Sequence, residues 1–260
     1  MIDSMRLRPT HRVLTIAAYG RGLVFLPFCA EVIAIDRDEH QLAYNQLTRA
    51  LAMATDRFEF LELLGHMLSS PAQRRAAGIE DTRRIARGAE LIATHVPADQ
   101  RERAREIFLT GNLDSWQEHH GIDRVGQRVT IDAGRVARKL FPHVESDEQY
   151  NAARERIRRG ACRIVKAELP EDVEGLDKEG FDRIFLDNVF TFIYTEKRTG
   201  ARRWVDGCIR GLRSLLRDGD SFMVELEHSN DGFYMEHVNP RNARILGQFD
   251  SQGWRYTIFQ

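Results

Sequence analysis

The chain has 260 residues, 42% hydrophobic and 30% charged, enough for one large or two small domains with a substantial core. A net charge of -1 removes the electrostatic reason to expect nucleic acid as the main partner. Three scattered cysteines, Cys29, Cys162 and Cys208, exclude a disulfide framework and a CxxC metal site.

They read instead as small core residues in a reducing compartment. The opening stretch MIDSMRLRPTHR has no apolar signal-peptide segment, and no run is long enough to span a bilayer. The expectation is a soluble, cytoplasmic protein with a small-molecule substrate and no stable membrane association. Its oligomeric state stays open.

Val13 to Ala18 is a charge-free apolar run, as expected of a strand covered on both faces. It ends at Tyr19-Gly20-Arg21-Gly22, where two glycines let the chain swing into a helix and let backbone N–H groups approach a ligand. Leu23 to Cys29 would be that helix, broken at Pro27. Glu31 to Ile35 reads as a second buried strand that stops on an acid, Asp36, followed by Arg37. An acid there can accept hydrogen bonds from ribose hydroxyls while the glycine turn faces the middle of the ligand. Two glycines after a strand also occur in α/β proteins that bind nothing there, so the turn alone leaves an ordinary βαβ connection open. The dinucleotide fingerprint wants a third glycine, and Phe25 or Leu26 stands near its place. That departure favours a cofactor without a pyrophosphate, S-adenosylmethionine over NAD.

Asp38, with Gln41 three residues on, opens a helix carrying Leu42, Tyr44, Leu47, Leu51 and Met53 at near-helical spacing. Phe58 to Leu64 is a dense apolar run that fits a helix better than a third strand. Residues 69–160 turn charged and helix-prone, without a convincing strand, and read as a helical lid inserted between two parts of a Rossmann-like domain, 1–68 and 161–260. The arginine runs of this segment fit solvated helix faces; one or two turned inward could clasp a carboxylate. Trp116, His119 and His120 stand out within it. Adjacent histidines on a helix diverge by roughly 100° and nothing nearby completes a site, so no metal is expected.

Strand-like sequence resumes at Cys162 and ends near Glu168, where an acid can meet an adenine amino group. Asp182 to Leu186 follows, then Asp187-Asn188 and the aromatics Phe190, Phe192 and Tyr194. Trp204 to Arg217 is an amphipathic helix, Ser221 to Leu226 a fifth strand and Trp254 to Phe259 a last one. Strands alternating with helices imply a doubly wound, mostly parallel α/β sheet, with ligands beyond the carboxyl ends of its strands. That rule gathers Tyr19, Gly20, Gly22, Asp36, Arg37, Glu168 and Asp187 as cofactor-binding candidates on one rim. Asn188 and Tyr194 are the catalytic candidates, since an amide can orient an amine by donating and accepting.

VLTIAAYGRG, EVIAIDRDEHQLAYNQLTRALA and FEFLELLG, with LDSWQEHHGI and FDRIFLDNVFTF further on, resemble the betaine-lipid-synthase type of S-adenosylmethionine:diacylglycerol 3-amino-3-carboxypropyltransferases. The resemblance implies a class I methyltransferase fold whose chemistry is attack on the methionine γ-carbon, with methylthioadenosine leaving. It also implies that Gly20, Gly22 and Asp36 bind the cofactor and that Asp187-Asn188 stand at the reacting carbon. Two departures favour a small acceptor over a lipid: the chain begins almost directly at its first strand, and Asn188 and Phe190 replace more polar residues. The smallest acceptor is the cofactor's own α-amine, which would close to azetidine-2-carboxylate. A small-molecule methyltransferase and a non-catalytic cofactor-binding protein remain the alternatives.

Overall fold

In a computed structural model, the structure describes residues 5–69, 71–76, 82–111, 144–187, 189, 201–217, 219, 221–228, 245–251 and 254–260. The chain divides into two compact units: residues 1–18, 28–38 and 161–260 form one, residues 19–27 and 39–160 the other.

The first unit is built on a seven-stranded sheet: β1 Arg12–Ile16, β2 Glu31–Asp36, β3 Cys162–Lys166, β4 Arg183–Phe185, β5 Phe222–His228, β6 Ile245–Ser251 and β7 Trp254–Phe259. Their order is β3-β2-β1-β4-β5-β7-β6. The first five pair in parallel, and β7 runs antiparallel to both β5 and β6. Strand order reverses between β1 and β4, the point at which a doubly wound sheet opens a crevice beyond its carboxyl ends. This order, with the reversed strand β7 set between β5 and β6, is the class I methyltransferase fold. The hairpin from β6 to β7 escaped the sequence reading, which placed only Trp254 to Phe259 there. ILGQFDS has a glycine, an amide and an acid in seven residues, and its partner supplies the pairing that its own pattern does not announce.

Val13, Leu14 and Thr15 of β1, and Val32 to Ile35 of β2, are all buried, so neighbouring residues of both parities are out of water. That is why these strands read as continuous apolar runs. One core joins Leu14, Ile33, Ile35, Ile184, Leu186 and Met223 to Val205, Cys208, Ile209 and Leu212 of the helix Ala201–Ser214 and to Leu215 just after it.

At the amino ends of the strands an ion-pair network ties distant segments. The Arg12 guanidinium donates to Glu31 Oε2 at 2.7 Å, to both Asp177 oxygens at 3.1 and 2.8 Å, and to the Gly180 carbonyl at 2.9 Å. Arg163 reaches the same two acids, at 3.0 Å from Glu31 Oε1 and 2.6 Å from Asp177 Oδ2. Arg12 and Arg163 together hold the Asp177 carboxyl well below the usual carboxylate range.

All elements of the second unit among the described residues are helical: α1 Arg21–Val24, α2 Glu39–Ala54, α3 Arg57–Leu68, α4 Pro71–Ala76, α5 Thr82–His95, α6 Arg101–Thr110 and α7 Asp147–Arg158. The helix Ala201–Ser214 of the first unit is α8. Phe58 to Leu64 therefore lies in a helix, started by Asp56, whose side chain accepts the Glu59 N–H. Ser146 caps α7 in the same way through the Gln149 N–H. Tyr150 of α7 anchors that helix beneath α2 and α3. Its hydroxyl lies 3.2 Å from Thr55 Oγ1 and donates to the Ala52 carbonyl, and its ring packs 5.5 Å from that of Phe60. Burial pushes its phenol up to about 12. His66 stacks on Phe108 at 4.8 Å, and buried Arg74 donates to the carbonyls of His66, Ser69 and Leu109, near the carboxyl ends of α3 and α6.

Two stability predictions follow from these contacts. A Cβ on Gly88 would stand 2.2 Å from Phe108 Cε1, so Gly88→Ala is expected to destabilise by about 1–3 kcal/mol in urea titration despite its better helix propensity. Asp177→Asn is expected to cost about 1–3 kcal/mol at neutral pH, where the paired carboxylate is fully charged. Because the folded carboxyl titrates below its unfolded value of about 4, this stability is lost as pH falls below that value, so wild type and variant should converge in acid.

Candidate functional site

The carboxyl ends of β2 and β3 bring three of the predicted residues together. In register, Asp36 lies opposite Lys166, and the Asp36 carbonyl accepts the Ala167 N–H at 3.0 Å, carrying the pairing one residue past the strand. Arg37, immediately after β2, donates to Glu168 Oε1 at 3.2 Å. Both side chains are about half exposed, at 51% each, so the pair contributes only about 0–1 kcal/mol and orients the carboxylate more than it stabilises the fold.

Asp36 itself is only partly accessible. Burial pushes its carboxyl up to about 6, and the backbone N–H groups of Asp38 and Arg37 oppose that rise only in part. The Asp38 N–H donates to Oδ1 at 3.0 Å. A carboxylate drawn out of water in this way gains when hydroxyl donors arrive, because they replace hydration lost on folding.

Glu168 sits on a closed turn. Its N–H donates to Asp172 Oδ2 at 2.8 Å, while the Asp172 N–H returns to the Glu168 carbonyl at 2.9 Å. Leu169 and Val173 of the same turn enter the core against α8.

Asp187 follows β4, on the other side of the order reversal from Asp36. It is 5% exposed and adopts φ 53°, the left-handed region in which an aspartate is tolerated but most residues are strained. Backbone of this kind, buried at a strand end beside a switch point, is concentrated at functional sites. The sequence reading singled out Asp187 for its chemistry; the unusual backbone carries no local signal beyond the residue type.

Gly20 and Gly22 belong to the second unit. Ala18–Gly20 forms a 3-10 turn and Gly20 takes φ 83°, ψ 13° immediately before α1, a conformation that a side chain would strain. The predicted helix from Leu23 to Cys29 is shorter and earlier than expected. α1 stops at Val24 and a 3-10 turn follows at Leu26–Phe28, because Pro27 has no N–H to continue the ladder. The Tyr19 side chain, Asn188, Phe190, Phe192, Tyr194, Trp116, His119 and His120 lie outside the described residues. Among the described residues no group of three His, Cys, Asp or Glu side chains is placed to hold a metal ion, and no helix is long and apolar enough to cross a membrane.

No protein-family model matches the chain, and no curated protein matches it by sequence. Among solved structures it is similar to the rRNA methyltransferase aviRa from Streptomyces viridochromogenes. In a 2.4 Å structure of that protein the alignment spans 99% of this chain and 79% of the other at 16% identity, with a TM-score of 0.43. In a 1.5 Å structure the figures are 98%, 80%, 17% and 0.42. Likeness at that level leaves the fold resting on strand order and register, and it says nothing of this chain's activity.

Asp36 yields a prediction with opposite signs for stability and binding. Its folded carboxyl titrates near 6 against about 4 when unfolded, so ionisation costs folding free energy as pH rises through that window. Asp36→Asn is therefore expected to be more stable than wild type at pH 7–8, by on the order of 1–3 kcal/mol, with the difference gone near pH 4. The same substitution should abolish the wild type's loss of cofactor affinity below about pH 6, at the cost of weaker binding above it. Thermal melts and titration calorimetry across pH 4–8 measure both; an Asn variant that binds as wild type does would remove Asp36 from the site.

Proposed function

We propose that this protein is an S-adenosylmethionine-dependent transferase in which an amine attacks the γ-carbon of the methionine chain. The 3-amino-3-carboxypropyl group passes to a small acceptor or closes on its own α-amine as azetidine-2-carboxylate, and methylthioadenosine leaves. The observation that carries the cofactor assignment is Asp36, a carboxylate at the carboxyl end of β2, one strand from the order reversal and partly withdrawn from water. The choice of bond comes from the resemblance of the glycine turn, second strand and fourth-strand segment to the aminocarboxypropyltransferases.

Under this reading Asp36 accepts the ribose hydroxyls and Glu168, oriented by Arg37, meets the base. Tyr19, Gly20 and Gly22 border the methionine portion. Asp187, Asn188 and Tyr194 are assigned to the reacting carbon.

The sulfonium supplies its own leaving group. The C–S bond breaks with its electron pair going to sulfur, a C–N bond forms, and the proton lost from the amine passes to solvent. Catalysis then consists mainly of holding a neutral amine in line behind the C–S bond, an orientation worth roughly 7–11 kcal/mol. An α-amino group with a pKa near 8 needs only a modest downward shift to be neutral, so no strong base is required. Asn188 suits the orienting task, since its amide can accept from the amine.

Conventional methyl transfer to a small molecule is the second reading, compatible with the sheet order, which imposes no particular reaction on the cofactor. Incubation of the purified protein with S-adenosylmethionine, alone and with small amines, followed by mass spectrometry, separates the readings. Methylthioadenosine with an equal amount of azetidine-2-carboxylate or an aminocarboxypropylated amine is the expected result. S-adenosylhomocysteine would establish methyl transfer, and stoichiometric binding without turnover would establish a non-catalytic binder.

A further inference from the structure

We infer that Gly211 of α8 is a positioning residue for the cofactor's base, because it forms the seat for the turn that carries Glu168; this rests on the function proposed above. The turn's backbone is closed on itself by the reciprocal Glu168–Asp172 hydrogen bonds, and it continues into the 3-10 segment Val173–Gly175. Its outward end is the Glu168 carboxylate, paired with Arg37 beside Asp36. Its inward end is Val173, 1% exposed, packed into the core with α8. A Cβ on Gly211 would lie 3.3 Å from Val173 Cγ1 and 3.4 Å from its Cβ, so an alanine requires Val173 to give by a few tenths of an ångström and a branched side chain requires it to give more.

Glycine inside a helix sacrifices backbone entropy, and at this position the sacrifice is matched by that close approach. Gly207, one helical turn earlier, supplies the contrast: its Cβ would meet Pro170 at an ordinary 3.5 Å. Since the turn hangs between α8 and the rim, displacing Val173 displaces Glu168, and the Arg37 pair, half exposed, is too weak to hold it in place.

The test is a double-mutant cycle on the full-length protein, with S-adenosylmethionine binding read by calorimetry. Gly211→Val and Glu168→Gln are each expected to weaken binding about tenfold, the loss of one charge-assisted hydrogen bond. In the Glu168→Gln background, Gly211→Val should change Kd less than about twofold, because it acts through the lost carboxylate. Val173→Ala, which opens the seat from the opposite side, should restore binding to the Gly211→Val chain, and Gly207→Ala should leave it unchanged. If Gly211→Val does not fold, Gly211→Ala takes its place in the same cycle. Additive effects, or a Gly211 variant that binds as the unsubstituted protein does, would overturn the positioning role alone. An unsubstituted protein that does not bind S-adenosylmethionine overturns both this inference and the proposed function.

Discussion

Parallel pairing of β3, β2, β1, β4 and β5 is the constraint on which the candidate site depends. Parallel strands cannot be joined by tight hairpins, so every connection must leave one end of the sheet and return at the other. Where the order turns back on itself, between β1 and β4, the connections diverge and the carboxyl ends of the strands are left available. Asp36, Glu168 and Asp187 stand at three of those ends. They belong to different segments of the chain, and the sheet brings their strand ends to one rim.

The two ends of the sheet use charge differently. At the amino ends, Arg12, Glu31, Arg163 and Asp177 are mutually paired, each carboxylate meeting two guanidinium groups, so both signs are satisfied and the fold is tied together. At the carboxyl ends, Asp36 is partly buried without such compensation, and its raised pKa records the mismatch. A carboxylate that lowers stability when ionised is an expensive choice for a structural residue and a reasonable one for a ligand site, where incoming donors restore what burial removed.

Much of this architecture is legible locally because burial on both faces leaves a simple trace. β1 and β2 are uncharged apolar runs along most of their length, β2 stops on an acid, and a glycine in the left-handed region marks the swing after β1. The helices are legible through spacing and caps: Leu42, Tyr44, Leu47 and Leu51 are buried as their periodicity demands, and Asp56 starts α3. β6 was not legible, because an edge strand of mixed polarity, ILGQFDS, has no period of its own, and its register with β7 includes an irregularity between Ile245 and Gly247.

By itself, then, the sequence determined most element types, β6 excepted, the doubly wound class and the candidates Gly20, Gly22, Asp36, Arg37, Glu168 and Asp187, since each rests on a local pattern of burial, backbone freedom or strand-end position. Tertiary structure alone decided which residues meet. Arg37 pairs with Glu168 across 131 residues and Arg12 with Asp177 across 165, and Gly211 receives Val173 from a turn that precedes it by a strand. Such contacts arise when loops close and surfaces pack, and neither a residue's neighbours in sequence nor its own chemistry specifies the partner that closure will bring.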